Sequence, residues 1–393
     1  MFRPYTMFDC PSWPPPMPEV TQELLELVAS GEWAKYQSAA VQRLRDAMAE
    51  TIGVRHVRLV CSGSAAVELA LRGCGVGMPL RQVGAQRQAA VGPQEVICPA
   101  LDYPGNVRAV RLLGAEPVLV DSLPGGWTID LEAVVAAGTP RTIAVIASHL
   151  YGEIAAVAAL REICDRRGWM LVEDVCQMPG GRWDGQPLGS FGHVAAWSFG
   201  GSKPLTAGCG GAVTTDDDRI AQRLAAHSDR PSDAYPLSPL QAAALWPQWR
   251  ALGDFAVRQR ARWLRLQAAC RQQTPCWQWP VLIDSQHQPV FYKLPILVAQ
   301  APAANSQPGD TAAGGPIEML VAAAQASGVP ASEAFRIPRA SARSRGRIMA
   351  TAQAQAIAAR LCLIDHRVLA GSEADVDQLA AVLIELHQRL YEL

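Results

Sequence analysis

Three short segments of the 393-residue chain carry side chains whose types and spacing could do chemistry. The first is Cys61-Ser62-Gly63-Ser64-Ala65-Ala66, where a short apolar run meets the start of a helical pattern. A Gly/Ser turn at a helix start offers free backbone N–H groups and the positive end of the helix dipole, with Ser62 or Ser64 placed as cap. That suits a phosphate, although an ordinary capped helix fits the same residues. The second is Leu171-Val172-Glu173-Asp174-Val175-Cys176-Gln177. Asp174 stands at the carboxyl end of a buried strand, where open α/β sheets bind ligands. A carboxylate there needs a cation, either from a structural ion pair or from a ligand. The third runs from Ala195 through Trp197-Ser198-Phe199-Gly200-Gly201-Ser202-Lys203-Pro204 to Gly210-Gly211. A lysine in a Gly-rich turn after an apolar strand sits in a dry place, where its amine loses basicity and becomes a good imine-forming nucleophile. A solvated loop lysine is the plain alternative.

These residues need a scaffold, and the periodicity predicts one. Apolar residues return every three or four positions over 18–30 and 37–51, as in amphipathic helices. From residue 55 onward, short apolar runs (57–61, 95–98, 117–120, 142–147, 170–172 and 194–198) alternate with helical stretches at 64–73, 105–113 and 155–167. Strands alternating with helices imply βαβ units and a mostly parallel sheet. Continuous apolar strands imply that both sheet faces are covered. Residues 75–93, rich in Gly, Gln and Ala, read as an inserted surface loop, and 300–316 as a mobile one. A long helix over 249–273, strands within 290–298 and a closing amphipathic helix at 376–390 belong to a second unit. The division expected is a large domain over 1–248, including the N-terminal helical segment, and a smaller C-terminal α+β domain over 249–393.

Composition narrows the class. Charged residues make up 18% and the formal net charge is −1, a balance that disfavours nucleic acid or an anionic membrane as partner. No apolar run reaches roughly 18 residues, so no spanning helix is expected. The Pro-rich start, residues 1–16, does not resemble a signal peptide. The ten cysteines stand singly without C-x-x-C spacing, which predicts a reduced cytoplasmic protein and no metal site. No G-x-G-x-x-G follows a strand, since Gly73-Cys74-Gly75-Val76-Gly77 follows a helix and breaks at Met78. The phosphate loop G-x-x-x-x-G-K-[ST] is absent as well.

In this order and spacing, the three segments resemble the DegT/DnrJ/EryC1/StrS family of sugar aminotransferases, of pyridoxal-phosphate (PLP) fold type I. The resemblance runs from about Val20 to Leu224. It includes Pro99-Ala100-Leu101-Asp102-Tyr103, His149-Leu150-Tyr151-Gly152, Gly189-Ser190-Phe191-Gly192 and Ser198-Phe199 ahead of Lys203. It implies that Lys203 forms the Schiff base with pyridoxal 5′-phosphate and then carries the proton. Asp174 would pair with the pyridinium nitrogen, Gln177 with the ring hydroxyl, and Tyr103 would stack on the ring. Gly63, Ser64 and Ser198 would hold the phosphate. A small keto substrate, a keto sugar or related cyclic ketone, would accept an amino group from glutamate or glutamine, in a homodimer. Elimination or decarboxylation at Cα, or a non-catalytic PLP-binding homologue, would use the same core.

The chain departs from the family in two places. The acidic position after the lysine is Cys209. The family's Asn and Arg ahead of the Gln-Ala-Ala helix correspond to Ala234 and Pro236, counting back from Gln241-Ala242-Ala243. Either Arg230, in the same loop, supplies a replacement cation, or the phosphate depends only on Gly63, Ser64 and Ser198 of its own subunit; the second is the favoured expectation.

Overall fold

The computed structural model describes residues 5–78, 92–228, 234–299, 316–338 and 346–391. In chain order the strands are β1 (His56–Val60), β2 (Glu95–Pro99), β3 (Glu116–Val120), β4 (Thr142–Ser148) and β5 (Met170–Asp174). The two-residue β6 (Arg182–Trp183) and β7 (Gln186–Pro187) precede β8 (Val194–Ser198) and β9 (Gly211–Thr215). The C-terminal part adds β10 (Trp277–Gln278), β11 (His287–Gln288), β12 (Lys293–Val298), β13 (Ala331–Glu333), β14 (Arg347–Ile348) and β15 (Leu361–Asp365).

Eight of these form one sheet in the order β1-β9-β8-β5-β4-β2-β3-β14. Every pairing from β8 to β14 is parallel, and β9 runs antiparallel to both neighbours. The expected α/β architecture, a mostly parallel mixed sheet flanked by helices, is what forms. Alternation along each strand feeds two cores. Val96 and Cys98 of β2 face the cluster built on helices Gly63–Gly73 and Pro104–Leu112, while Ile97 faces helix Val157–Arg167 on the other side. The strands read as unbroken apolar runs because both faces are dry.

The C-terminal part carries a second sheet, β10-β12-β15-β13, antiparallel throughout. Helices Leu252–Cys270 and Glu373–Tyr391 pack on it around Trp263, Leu266, Leu379 and Leu383. Phe8, from the N-terminal segment, is buried in this same cluster. The helix expected over 249–273 forms as Leu252–Cys270, set off at Ala251 from a preceding helix, Pro239–Arg250. The two loops expected at 75–93 and 300–316 lie mainly outside the described residues.

Candidate functional site

The carboxyl ends of neighbouring strands β2, β4, β5 and β8 and the amino end of helix Gly63–Gly73 open onto one cavity of about 400 Å³. All seven site residues expected from the sequence line it: Gly63, Ser64, Tyr103, Asp174, Gln177, Ser198 and Lys203.

One corner is built for an anion. Ser62, in extended conformation, caps the helix by accepting a hydrogen bond from the Ala65 N–H at 3.1 Å, and its carbonyl accepts from Ala66 N at 3.0 Å. Among the described residues the N–H groups of Gly63 and Ser64 have no acceptor, as the first donors of a helix need not until a ligand takes them. Gly63 is required by closeness. A Cβ there would come within 2.6 Å of both Cβ and Oγ of Ser198, so the hydroxyl sits directly against the helix start.

The floor is acidic. Asp174 Oδ1 accepts from Cys176 N at 2.9 Å, and Oδ2 accepts from the Asn106 amide at 2.8 Å. The same Asn106 nitrogen donates to Asp102 Oδ2 at 2.8 Å, and the Ser148 hydroxyl donates to that oxygen at 2.9 Å. Sheet register brings this about, because β4 lies between β2 and β5 and aligns Ser148 with Asp174. Burial, and after it the charge on Asp174, pushes the Asp102 carboxyl up to about 7. Among the described residues neither carboxylate is ion-paired with a lysine or arginine.

Beneath the floor, Glu173 points the other way from Asp174, as successive strand residues do. It accepts from the backbone N–H groups of Gly189 (2.6 Å), Phe191 (3.0 Å) and Gly192 (2.8 Å) and from His149 Nε2 at 3.1 Å. His149 Nδ1 accepts from Ala155 N at 3.1 Å, which fixes the Nε2–H tautomer that donates to Glu173.

The lysine stands on the turn after β8, its backbone N–H bonded to the Gly200 carbonyl at 2.9 Å. Its Nζ makes no hydrogen bond or ion pair among the described residues and lies 3.9 Å from the centre of the Tyr292 ring. Tyr292 is held by a 2.9 Å hydrogen bond between its hydroxyl and that of Ser202. Phe335 adds a second aromatic wall, its ring 5.8 Å from Tyr103 and 5.7 Å from Tyr151. Tyr151 adopts a left-handed backbone (φ 50°), and its N–H donates to Gln177 Oε1 at 3.4 Å.

At the rim, Pro236 bridges Val60 and the Tyr235 carbonyl accepts from Cys61 N at 3.0 Å, so segment 234–238 runs beside the anion corner. Ala234 and Pro236 therefore occupy that edge without the Asn and Arg the family carries. Cys209 is exposed on the cavity lining, its carbonyl held by Gln241 Nε2 at 3.0 Å. Arg230 lies outside the described residues. Sequence reasoning did not single out Asn106, Ser148, Tyr292 or Phe335, nor a site role for Asp102. The only signal was the polar pair Asp102 and Asn106, four apart at the start of helix Pro104–Leu112.

Over nearly its whole length the chain superposes on solved structures. 3-Amino-5-hydroxybenzoic acid (AHBA) synthase aligns with a TM-score of 0.79 at 24% identity, covering 98% of this chain and 100% of that one. The aminotransferase TlmJ from Streptoalloteichus hindustanus aligns at 0.78 and 22% identity, covering 98% and 99%. The fold is that of the PLP fold type I aminotransferases. The chain belongs to the DegT/DnrJ/EryC1/StrS aminotransferase family, whose profile matches residues 17–307.

Among characterised relatives, it is 37% identical over 219 residues to the L-glutamine:2-deoxy-scyllo-inosose aminotransferase of Streptoalloteichus tenebrarius, covering 54% of this chain and 48% of that protein. It is 38% identical over 207 residues to the dTDP-3-amino-3,4,6-trideoxy-alpha-D-glucose transaminase of Micromonospora megalomicea subsp. nigra, covering 52% and 51%. The chain thus spans about half the length of these relatives. No described helix is long and apolar enough to cross a membrane.

Proposed function

We propose that the chain is a PLP-dependent aminotransferase that places an amino group on a keto sugar or a related cyclic ketone, with glutamate or glutamine as donor. One observation carries this reading: the buried carboxylate of Asp174 and the amine of Lys203 face one cavity, and among the described residues no arginine or lysine is paired with the carboxylate. A buried carboxylate favours a nearby counter-charge unless hydrogen-bond donors or a proton satisfy it. A protonated pyridine nitrogen is a cation of the right size, and the Gly63–Ser64–Ser198 corner accepts the phosphate carried on the same ring. The residues present therefore fit pyridoxal 5′-phosphate. When bound, the cofactor supplies an electron sink for negative charge at the substrate's Cα.

The chain's own groups do the rest. Asp174 keeps the ring nitrogen protonated, Gln177 binds the ring hydroxyl, and Tyr103 stacks on the ring face. Lys203 Nζ first anchors the cofactor covalently. Its amine would also serve as the general base and acid that moves the substrate's Cα proton. Tyr292, Tyr103 and Phe335 offer flat apolar faces suited to a cyclic substrate. The names of the two relatives, one acting on an inosose and the other on an amino sugar, support that substrate class.

In this reading residues 1–248 form the cofactor-binding domain and 249–393 the smaller one. The working unit is a homodimer in the cytoplasm, where free thiols such as the five buried cysteines persist. The test is a half-reaction screen, adding amino donors singly while the bound cofactor's spectrum is followed. Conversion to the amine form with release of 2-oxoglutarate or its amide supports transamination. Turnover to an elimination or decarboxylation product without that conversion overturns it.

A further inference from the structure

The acidic floor holds more than the cofactor reading uses. Asp174 alone would suffice to pair with a ring nitrogen, yet a second carboxylate, Asp102, is buried behind it, with only 5% of its surface exposed. Asn106, fully buried, joins the two by giving one amide hydrogen to each. Both acceptors are carboxylates, so the amide must turn its nitrogen toward them. Its own oxygen consequently has no partner among the described residues. An amide kept merely to fill space would not leave a buried oxygen unsatisfied. Ser148 and the Tyr103 N–H hold Asp102 from the other side, at 2.9 Å and 2.7 Å.

We propose, building on the PLP reading, that Asp102 and Asn106 are positioning residues that set how strongly Asp174 holds a cationic ring nitrogen. Asn106 fixes the Asp174 carboxylate with one oxygen pinned from the helix side and the other by Cys176 N, leaving its remaining lone pairs aimed into the cavity. Asp102 adds a second negative charge one layer back. In this dry site two adjacent carboxylates resist carrying two charges, as the raised Asp102 carboxyl reflects. A cation entering beside Asp174 relieves that repulsion, and the second charge then strengthens its hold. The layer acts on the ring nitrogen and on nothing else of the cofactor.

That selectivity defines the test. The full chain is freed of cofactor, and its dissociation constants are measured by fluorescence titration on the alkaline side of neutrality. The two ligands are pyridoxal 5′-phosphate and its analogue with C–H in place of the ring nitrogen. Asp102→Asn and Asn106→Leu should each weaken PLP binding by about tenfold or more, the scale of one charge-assisted hydrogen bond, and leave the analogue within about twofold. Equal weakening of both ligands would mean the pair only supports the fold, and unchanged PLP binding would mean it does nothing for the nitrogen. Either result overturns the proposal. Asp102→Asn is nearly isosteric and carries the test alone if Asn106→Leu does not fold. A wild-type chain that binds neither ligand would instead defeat the PLP reading itself, and the two failures are therefore distinct.

Discussion

The floor and the rim of the cavity are built on different principles. The floor takes Ser148 and Asp174 from the ends of β4 and β5, Asp102 from the connection after β2 and Asn106 from the first turn of helix Pro104–Leu112, and its side chains are buried and bonded to one another. The rim comes from separate loops. It includes Tyr103, 48% exposed, the exposed Cys209, and Phe335 from the C-terminal part. Backbone register dictates the floor, so its chemistry follows from the sheet. Loop sequence dictates the rim, and there the chain departs from its family at Cys209, Ala234 and Pro236. On the proposed function, the floor would govern cofactor chemistry and the rim substrate choice.

The comparison predicts a descending series of effects. Lys203→Ala should lower turnover by at least about 10²–10⁴-fold, the contribution of a positioned acid–base group, while PLP still binds noncovalently. Steady-state rates beside cofactor absorbance check this, and near-normal turnover would remove the lysine from the chemistry.

Asp174→Asn should come next, costing about 1.5–3 kcal/mol or more in turnover, with cofactor occupancy falling far less. A mutant that keeps PLP and wild-type rates would make Asp174 structural.

Gly63→Ala should weaken PLP more than Ser198→Ala does, because the added methyl would lie 2.6 Å from the Ser198 side chain and spoil the whole anion corner. Ser198→Ala removes one hydrogen bond and should cost about 1 kcal/mol in PLP affinity. Titration of both variants gives the order, and a reversed order would move the phosphate elsewhere.

Smallest of all, Arg230→Ala should leave PLP affinity nearly unchanged if the rim contributes no phosphate contact. A loss larger than that of Ser198→Ala would bring the rim loop into the cofactor site.

Of the floor, Asp174 was legible in the sequence because a strand end announces itself. Apolar runs stop at Ser148, Asp174 and Ser198, and the next residues must face the cavity. The Asn106 bridge was not legible. It depends on which strands are neighbours, and β2 touches β4 and not β1 only through the sheet order. Strand β9 was also missed, since Gly211 opens it and its antiparallel direction has no local signature. Tyr292 and Phe335 escaped for a similar reason. Tyr292 reaches Lys203, and Phe335 reaches Tyr103, from far downstream in the chain, across packing that periodicity does not encode.

The central claim is that Lys203 is the amine that bonds to the cofactor, and the most direct test is chemical. The purified protein is loaded with pyridoxal 5′-phosphate, reduced with borohydride, digested and mapped by mass spectrometry. The account predicts a yellow protein before reduction and a phosphopyridoxyl group on the peptide carrying Lys203. A label on any other lysine, or no label at all, would contradict it.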